Sequence, residues 1–145
     1  MRVLVNRVKS ACVFVEGNII GKCKNGILVL SCFKEGDSLK DVEFLAKKVA
    51  NLRIFDDENG IMNKSILDTN GSILSISQFT LYADASNGNR PSYIKALNGP
   101  EAKKLYDLFN EKLNEYTHTE SGQFGADMKI ETLLDGPVTI SIDSK

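Results

Sequence analysis

A single histidine, three cysteines with no C-x-x-C pair and no long apolar run leave this 145-residue chain little of the usual enzymatic or membrane apparatus. His118 stands in a polar stretch with Thr117, Thr119 and Glu120, which reads as an exposed loop position and not as a general base. Cys12, Cys23 and Cys32 are odd in number and lie in strand-like apolar surroundings. Buried reduced thiols fit them better than a disulfide framework or a zinc site. A G-x-S-x-G elbow, a P-loop and a dinucleotide fingerprint are all missing. Charge interrupts the first residues at Arg2 and Arg7, too early for a signal peptide, and no segment approaches a bilayer's thickness. A cytoplasmic protein with no membrane partner is expected. The net charge of −1 argues against coating a long duplex, so no DNA partner is expected, although a local basic patch could still grip one end of a nucleic acid.

What is present is ordinary globular composition, 42% apolar and 26% charged, in a length that suits one domain over residues 1–145. Alternation from Arg2 to Glu16, a break at Glu16-Gly17-Asn18 and a further run to Lys24 predict a hairpin. Asn25-Gly26 reads as a second turn, and Ile27 to Phe33 as a central strand apolar on both faces. A helix follows Gly36, capped by Asp37 or Ser38, with Leu39, Val42, Leu45, Ala46 and Val49 on one face, ending near Asn51. Arg53-Ile54-Phe55 reads as a short strand. Asp56 to Gly60 reads as a solvated turn, since EF-hand spacing is absent; no metal and no cofactor are expected. Ser72 to Ser77 alternates as a half-buried strand that continues toward Tyr82.

The stretch from Ala83 to Gly99 is a long loop of the kind that often carries function. A second helix starts at Pro100, with Ala102, Leu105, Leu108, Phe109 and Leu113 as its buried stripe. Thr117 to Phe124 reads as a loop, and Ala126 to Leu134 and Val138 to Ile142 as a last pair of strands. Many strands with two helices, and no strict βαβ alternation, predict an α+β class: a largely antiparallel sheet or barrel with the helices outside.

Gly136-Pro137 sits between those last two strands, where a residue without an N–H is out of place in a ladder. Two readings stay open. One is an Asp135-Gly136 hairpin with Pro137 opening the next strand; the other is a cis Gly136-Pro137 bond that aims two carbonyls into a pocket.

With Ser77-Gln78-Phe79-Thr80-Leu81, Arg90-Pro91-Ser92, Gly122-Gln123-Phe124-Gly125-Ala126-Asp127-Met128 and Asp135-Gly136-Pro137-Val138-Thr139, the chain resembles the D-aminoacyl-tRNA deacylases over almost its whole length. Asn6-Arg7-Val8, Val15-Glu16-Gly17, Arg53-Ile54-Phe55 and Met62-Asn63 belong to the same resemblance. It departs from the family pattern at Asn6, Ile61, Tyr93 and Leu134. A related group carries a trans Gly-Pro and another residue in place of Phe79, so the likeness is to the cis type.

The resemblance implies a homodimer that hydrolyses the ester between a D-amino acid, or glycine mischarged on tRNA(Ala), and the terminal adenosine of tRNA. It implies that Gly136 and Pro137 cross into the partner's site and exclude an L side chain, with Arg7 supporting them. Ser77, Gln78 and Phe79 would surround the scissile ester, and Thr80 would assist while the tRNA 2′-hydroxyl helps water attack. Phe124, Gly125, Ala126 and Met128 would line the adenosine pocket. Aminoacyl esters are reactive enough for positioning and oxyanion stabilisation to suffice. A catalytically idle module that binds the tRNA end is the alternative from another class.

Overall fold

The computed structural model describes residues 1–145. In chain order it runs β1 (Arg2–Val15), β2 (Asn18–Cys32), α1 (Leu39–Asn51), β3 (Phe55–Asp56), β4 (Met62–Lys64), β5 (Ile73–Ser77), α2 (Gly99–Tyr116), β6 (Thr119–Ser121) and β7 (Lys129–Asp143). Single 3-10 turns cover Ile66–Asp68 and Phe79–Tyr82.

Five strands form one sheet in the order β6-β5-β2-β1-β7, and β3 pairs with β4 apart from it. The predicted α+β class holds, with two corrections to its architecture. The sheet is open, since β6 and β7 are its edges, and it is mixed: β1 pairs antiparallel with β2 and β7, whereas β5 runs parallel to both β2 and β6. The long connection through α1 permits that parallel pairing.

Alternation divides the core between the two faces of the sheet. Val3, Val5, Ile27, Val29 and Ile73 pack with Val42, Leu45 and Val49 of α1 and with Tyr106, Phe109 and Leu113 of α2. Leu28, Leu74 and Ile76, of opposite parity, join Val8, Ala11, Val13 and Cys23 in a second cluster covered by Met128 and Ile130. β5 is therefore buried on both faces, not half-buried as the alternation suggested, because the helices cover one face and the second cluster the other.

Asn25-Gly26 is not a turn. β2 continues through it, with Asn25 at φ 43°, and Gly26 N-terminal to the apolar run passes so close to Ser72 that an added Cβ would lie 1.9 Å from its carbonyl oxygen. The glycine serves a backbone crossing, which a turn-like dipeptide does not reveal.

The helix starts follow the sequence closely. Ser38 caps α1, and the Asp41 carboxylate accepts from the Ser38 N–H at 2.8 Å and its Oγ at 2.9 Å. Burial raises the Asp41 pKa, but hydrogen bonds from Ser38, Ser144 and Lys145 outweigh it and hold the group well below the usual carboxylate range. A carboxyl depressed in the folded state stabilises above its unfolded pKa and ceases to do so as pH falls through its folded value. Thermal unfolding should thus be insensitive to this group at neutral pH and weaken below about pH 4. Asp41→Asn should lower stability by about 1–2 kcal/mol at pH 7 and flatten part of that acid limb in a calorimetric pH series.

The third region of difference is the end of the chain. Residues 119–121, predicted as loop, form β6 beside β5, and the two expected final strands are one, β7, with no hairpin between them. The ladder to β1 passes from Asn6↔Thr139 to Val8↔Leu134, so a two-residue step on β1 faces a five-residue step on β7. Asp135-Gly136-Pro137 is the bulge that takes up the excess. Pro137 is tolerated because a bulged residue gives nothing to the ladder.

Candidate functional site

The parallel register sets Ser31 of β2 against Ser77 of β5, so the carboxyl ends of these two strands open side by side. The chain then leaves β5 through a tight turn: Gln78 N–H donates to Ser31 O at 2.7 Å, and Leu81 N–H donates to Gln78 O at 3.2 Å. Phe79 begins that 3-10 turn, so its N–H has no carbonyl one turn earlier within the helix to bond. Leu97 N–H donates to Phe33 O at 2.8 Å, which draws the start of α2 against the same strand end.

Between these segments lies a cavity of about 400 Å³. Ser77, Gln78 and Phe79 form one part of its wall, and Phe124, Gly125, Ala126 and Met128 another. Two groups of residues nearly fifty positions apart thus share one concavity. Phe124 is braced from behind by Tyr106, with ring centroids 5.9 Å apart, and Tyr106 donates its hydroxyl to Ser75 O at 2.8 Å. Cys32, Asn98 and Ala102 line the cavity as well and were not foreseen as site residues. Cys32 read as ordinary strand and Ala102 as helix core; only the Asn98-Gly99-Pro100 helix start hinted at a special position.

No Asp, Glu, His, Lys or Arg lines this cavity. Its one ionisable side chain is Cys32, whose thiol burial pushes up to about 11, where it is protonated at neutral pH. The cavity offers hydrogen-bond donors, acceptors and apolar walls, and no base poised near pH 7. Thr80 is not part of the lining; its Oγ1 accepts from Gln78 Nε2 at 2.5 Å. A nucleophilic hydroxyl needs an adjacent base to activate it, and Thr80 has an amide donor instead.

Arg7, Gly136 and Pro137 lie elsewhere. The Gly136-Pro137 bond is cis, both residues are exposed on the edge strand β7, and neither lines the cavity of its own chain. Arg7 is buried beneath them, only 8% exposed. Its Nε donates to Asp135 O at 3.2 Å, and its Nη1 to Ile54 O at 2.7 Å and Asp56 Oδ1 at 3.3 Å. One guanidinium therefore ties the bulge to the segment before β3, using the fixed fork that lysine lacks. Asn6 adds a second tie, its Oδ1 accepting the Thr139 hydroxyl at 2.9 Å. Leu134 is half-exposed beside the bulge and pairs with Val8 through the ladder. Remaining sequence candidates are peripheral: His118 is exposed and lies 3.1 Å from Glu120, and Asp57 accepts from the N–H groups of Asn59 and Ile61 in its own turn.

Comparison with known proteins places this geometry. A deacylase from Clostridium tetani (strain Massachusetts / E88), named D-aminoacyl-tRNA deacylase, is 55% identical across all of this chain and 98% of its own length. Proteins of that name from Clostridium novyi (strain NT) and Thermosipho africanus (strain TCF52B) are 51% and 50% identical over the same shares. Among solved structures, the c-Myc DNA Unwinding Element Binding Protein superposes with a TM-score of 0.94 at 38% identity, covering 100% of this chain and 99% of that one. A probable eukaryotic D-amino acid tRNA deacylase shares the fold, with a TM-score of 0.84 at 16% identity over 98% of each chain. No helix is long and apolar enough to cross a membrane. Residues 4–143 match the family model described as D-Tyr-tRNA(Tyr) deacylase, and the chain belongs to that family.

Proposed function

We propose that this enzyme hydrolyses the ester linking a D-amino acid, or glycine on tRNA(Ala), to the terminal adenosine of tRNA, in a site completed by a second copy of the chain. The observation that carries the reading is one cavity holding Ser77, Gln78 and Phe79 against the apolar wall of Phe124, Gly125, Ala126 and Met128. The adenine base has an apolar face for such a wall, and the ester on its ribose would reach the polar end.

Ser77, Gln78 and the Phe79 N–H polarise the ester carbonyl and stabilise the oxyanion that forms on it. Because the cavity supplies no neutral-pH base, water adds to the acyl carbon and the ribose 2′-hydroxyl of the substrate relays its proton to the 3′-oxygen, which leaves as the acyl–oxygen bond breaks. Thr80 holds the Gln78 side chain and takes no part in bond making. Thr80→Ala is accordingly expected to retain deacylation within about tenfold of the parent; complete loss in a folded, tRNA-binding variant would return a covalent mechanism.

The chiral gate is the Gly136-Pro137 bulge of the partner subunit. Its exposure on an edge strand and its position outside its own cavity support a role in trans, and the buried Arg7 explains how a surface bulge keeps a fixed shape. Backbone carbonyls there accept the substrate ammonium and leave room for hydrogen, not for an L side chain, on the facing side of the α-carbon. Matched D-tyrosyl-tRNA and L-tyrosyl-tRNA test the reading: fast loss of the D ester with the L ester at its spontaneous rate supports it. Equal cleavage of both keeps the hydrolase and removes the gate; cleavage of neither removes the hydrolase.

A further inference from the structure

The three segments that wall the main cavity continue past it into a second hollow. Cys32-Phe33 leads to Lys34, Phe79 leads to Tyr82, and Leu97 is preceded by Lys95 and Ile94. This hollow, of about 440 Å³, is lined by Arg2, Lys34, Tyr82, Asp84 and Lys95 among others. The two hollows thus have neighbouring walls on the same three chain segments.

Two features of this rim lack a structural purpose. Phe79 and Tyr93 form an edge-to-face pair with centroids 5.1 Å apart, yet they remain 49% and 38% exposed. Phe79 is on the wall of the main cavity and Tyr93 directly precedes Ile94 and Lys95 of the second hollow, so the two half-exposed rings offer a stacking surface between them. In the second hollow, Lys34 takes part in no ion pair, while Lys95 is paired with Asp84 at 2.8 Å and Arg2 is held by Asp143 at 2.9 Å. Arg2 also lies 4.9 Å over the Tyr82 ring, whose hydroxyl is buried without a hydrogen-bond partner. With Arg2 and Lys95 paired, Lys34 is the one cation of the lining that enters no ion pair, and it shares the hollow with the unpaired carboxylate of Glu35.

We propose that this rim binds the single-stranded nucleotides preceding the terminal adenosine, with one base stacked on the Phe79–Tyr93 pair and one phosphate on Lys34. The proposal rests on the adenosine reading of the main cavity and extends it outward along the RNA chain. Single-stranded RNA is the chemistry that combines flat π faces with a phosphate between each of them, and aromatic side chains interleaved with a cation are its complement. The recognition is of stacking and charge, hence tolerant of base identity.

Equilibrium binding separates this proposal from the catalytic one. The probes are adenosine 5′-monophosphate and the unacylated trinucleotide CCA, titrated against the wild-type protein and against Tyr93→Ala and Lys34→Gln. Wild type is expected to bind the trinucleotide at least tenfold more tightly than the mononucleotide. Tyr93→Ala should weaken the trinucleotide about tenfold and leave the mononucleotide unchanged. Lys34→Gln should lower the slope of log affinity against log salt by about 0.7, the release expected for one single-strand phosphate. Tyr93→Phe and Lys34→Arg should retain binding, which a loss of fold at either position would not allow. Equal wild-type affinity for both probes, or variants that weaken both probes alike, overturns the proposal. Trinucleotide binding that responds to these variants in a protein inactive on D-tyrosyl-tRNA would uphold the rim and reject the deacylase reading instead.

Discussion

Gly136→Ala should reduce turnover of D-tyrosyl-tRNA about 100-fold and narrow the D-to-L ratio with it. At φ +119° this backbone suits glycine, and an added Cβ would meet Val138 Cγ2 at 2.9 Å and Arg7 Nη2 at 3.1 Å. Val138 is part of the core packing, so the neighbour that yields is the guanidinium or the bulge itself. Either movement displaces the two carbonyls proposed to hold the ammonium group, and a displacement near 1 Å costs roughly two orders of magnitude in rate. Single-turnover kinetics with both esters reads the effect directly. An alanine variant with parental rates on the D ester would mean that these carbonyls do not touch the substrate.

Arg7→Met should be the most damaging single change to stability among the site residues, lowering it by about 3 kcal/mol and the melting temperature by roughly 10 °C. The guanidinium is buried, and its removal takes the donor from the Ile54 and Asp135 carbonyls and from Asp56, and leaves the Asp135 carboxylate with Lys9 alone. Arg7→Lys separates support from mere folding. It keeps a charge near Asp135 but not the fork that bonds two backbone carbonyls at once, so melting should recover in part while the D-ester rate stays depressed. Recovery of both together would make Arg7 a purely structural residue.

How much of this was readable in advance differs by element. α1 followed from Val42, Leu45, Ala46 and Val49 of its stripe and from the Ser38 cap, because helix periodicity and capping are local, whereas Leu39 of the same stripe is half-exposed. Tyr106 was missed in α2, since a tyrosine on the buried side is justified only by Ser75 O across the fold. Asn25-Gly26 misled, and of the two readings open at Gly136-Pro137 the hairpin fails while the cis bond is present. Each has turn composition, yet each lies within a long strand, one under a close backbone crossing and the other in a bulge over a buried arginine. Local propensity cannot distinguish a glycine that turns the chain from one that lets another chain segment approach.

The site shows the same division. The Ser77–Thr80 segment and the Phe124–Met128 segment stood out through family likeness, and the meeting of Ser77, Gln78 and Phe79 with Phe124 and Met128 in one cavity follows from the parallel pairing of β5 with β6 and β2, a non-local feature. Cys32 and Asn98 entered the lining only through that topology. The separation of Gly136 and Pro137 from their own cavity is also invisible to spacing, and it is what makes a second subunit necessary to the proposed chemistry.

A mixed dimer tests that requirement most directly. One subunit carries Gly136→Ala, with its cavity intact; the other carries Ala126→Trp, which fills the cavity and leaves its bulge intact. Each parental homodimer is expected to be nearly inactive on D-tyrosyl-tRNA, while the purified mixed dimer should recover about half of the wild-type rate per dimer, because one intact cavity then faces one intact bulge. A mixed dimer no more active than its two parents would show that cavity and bulge must belong to the same chain, and would contradict the account.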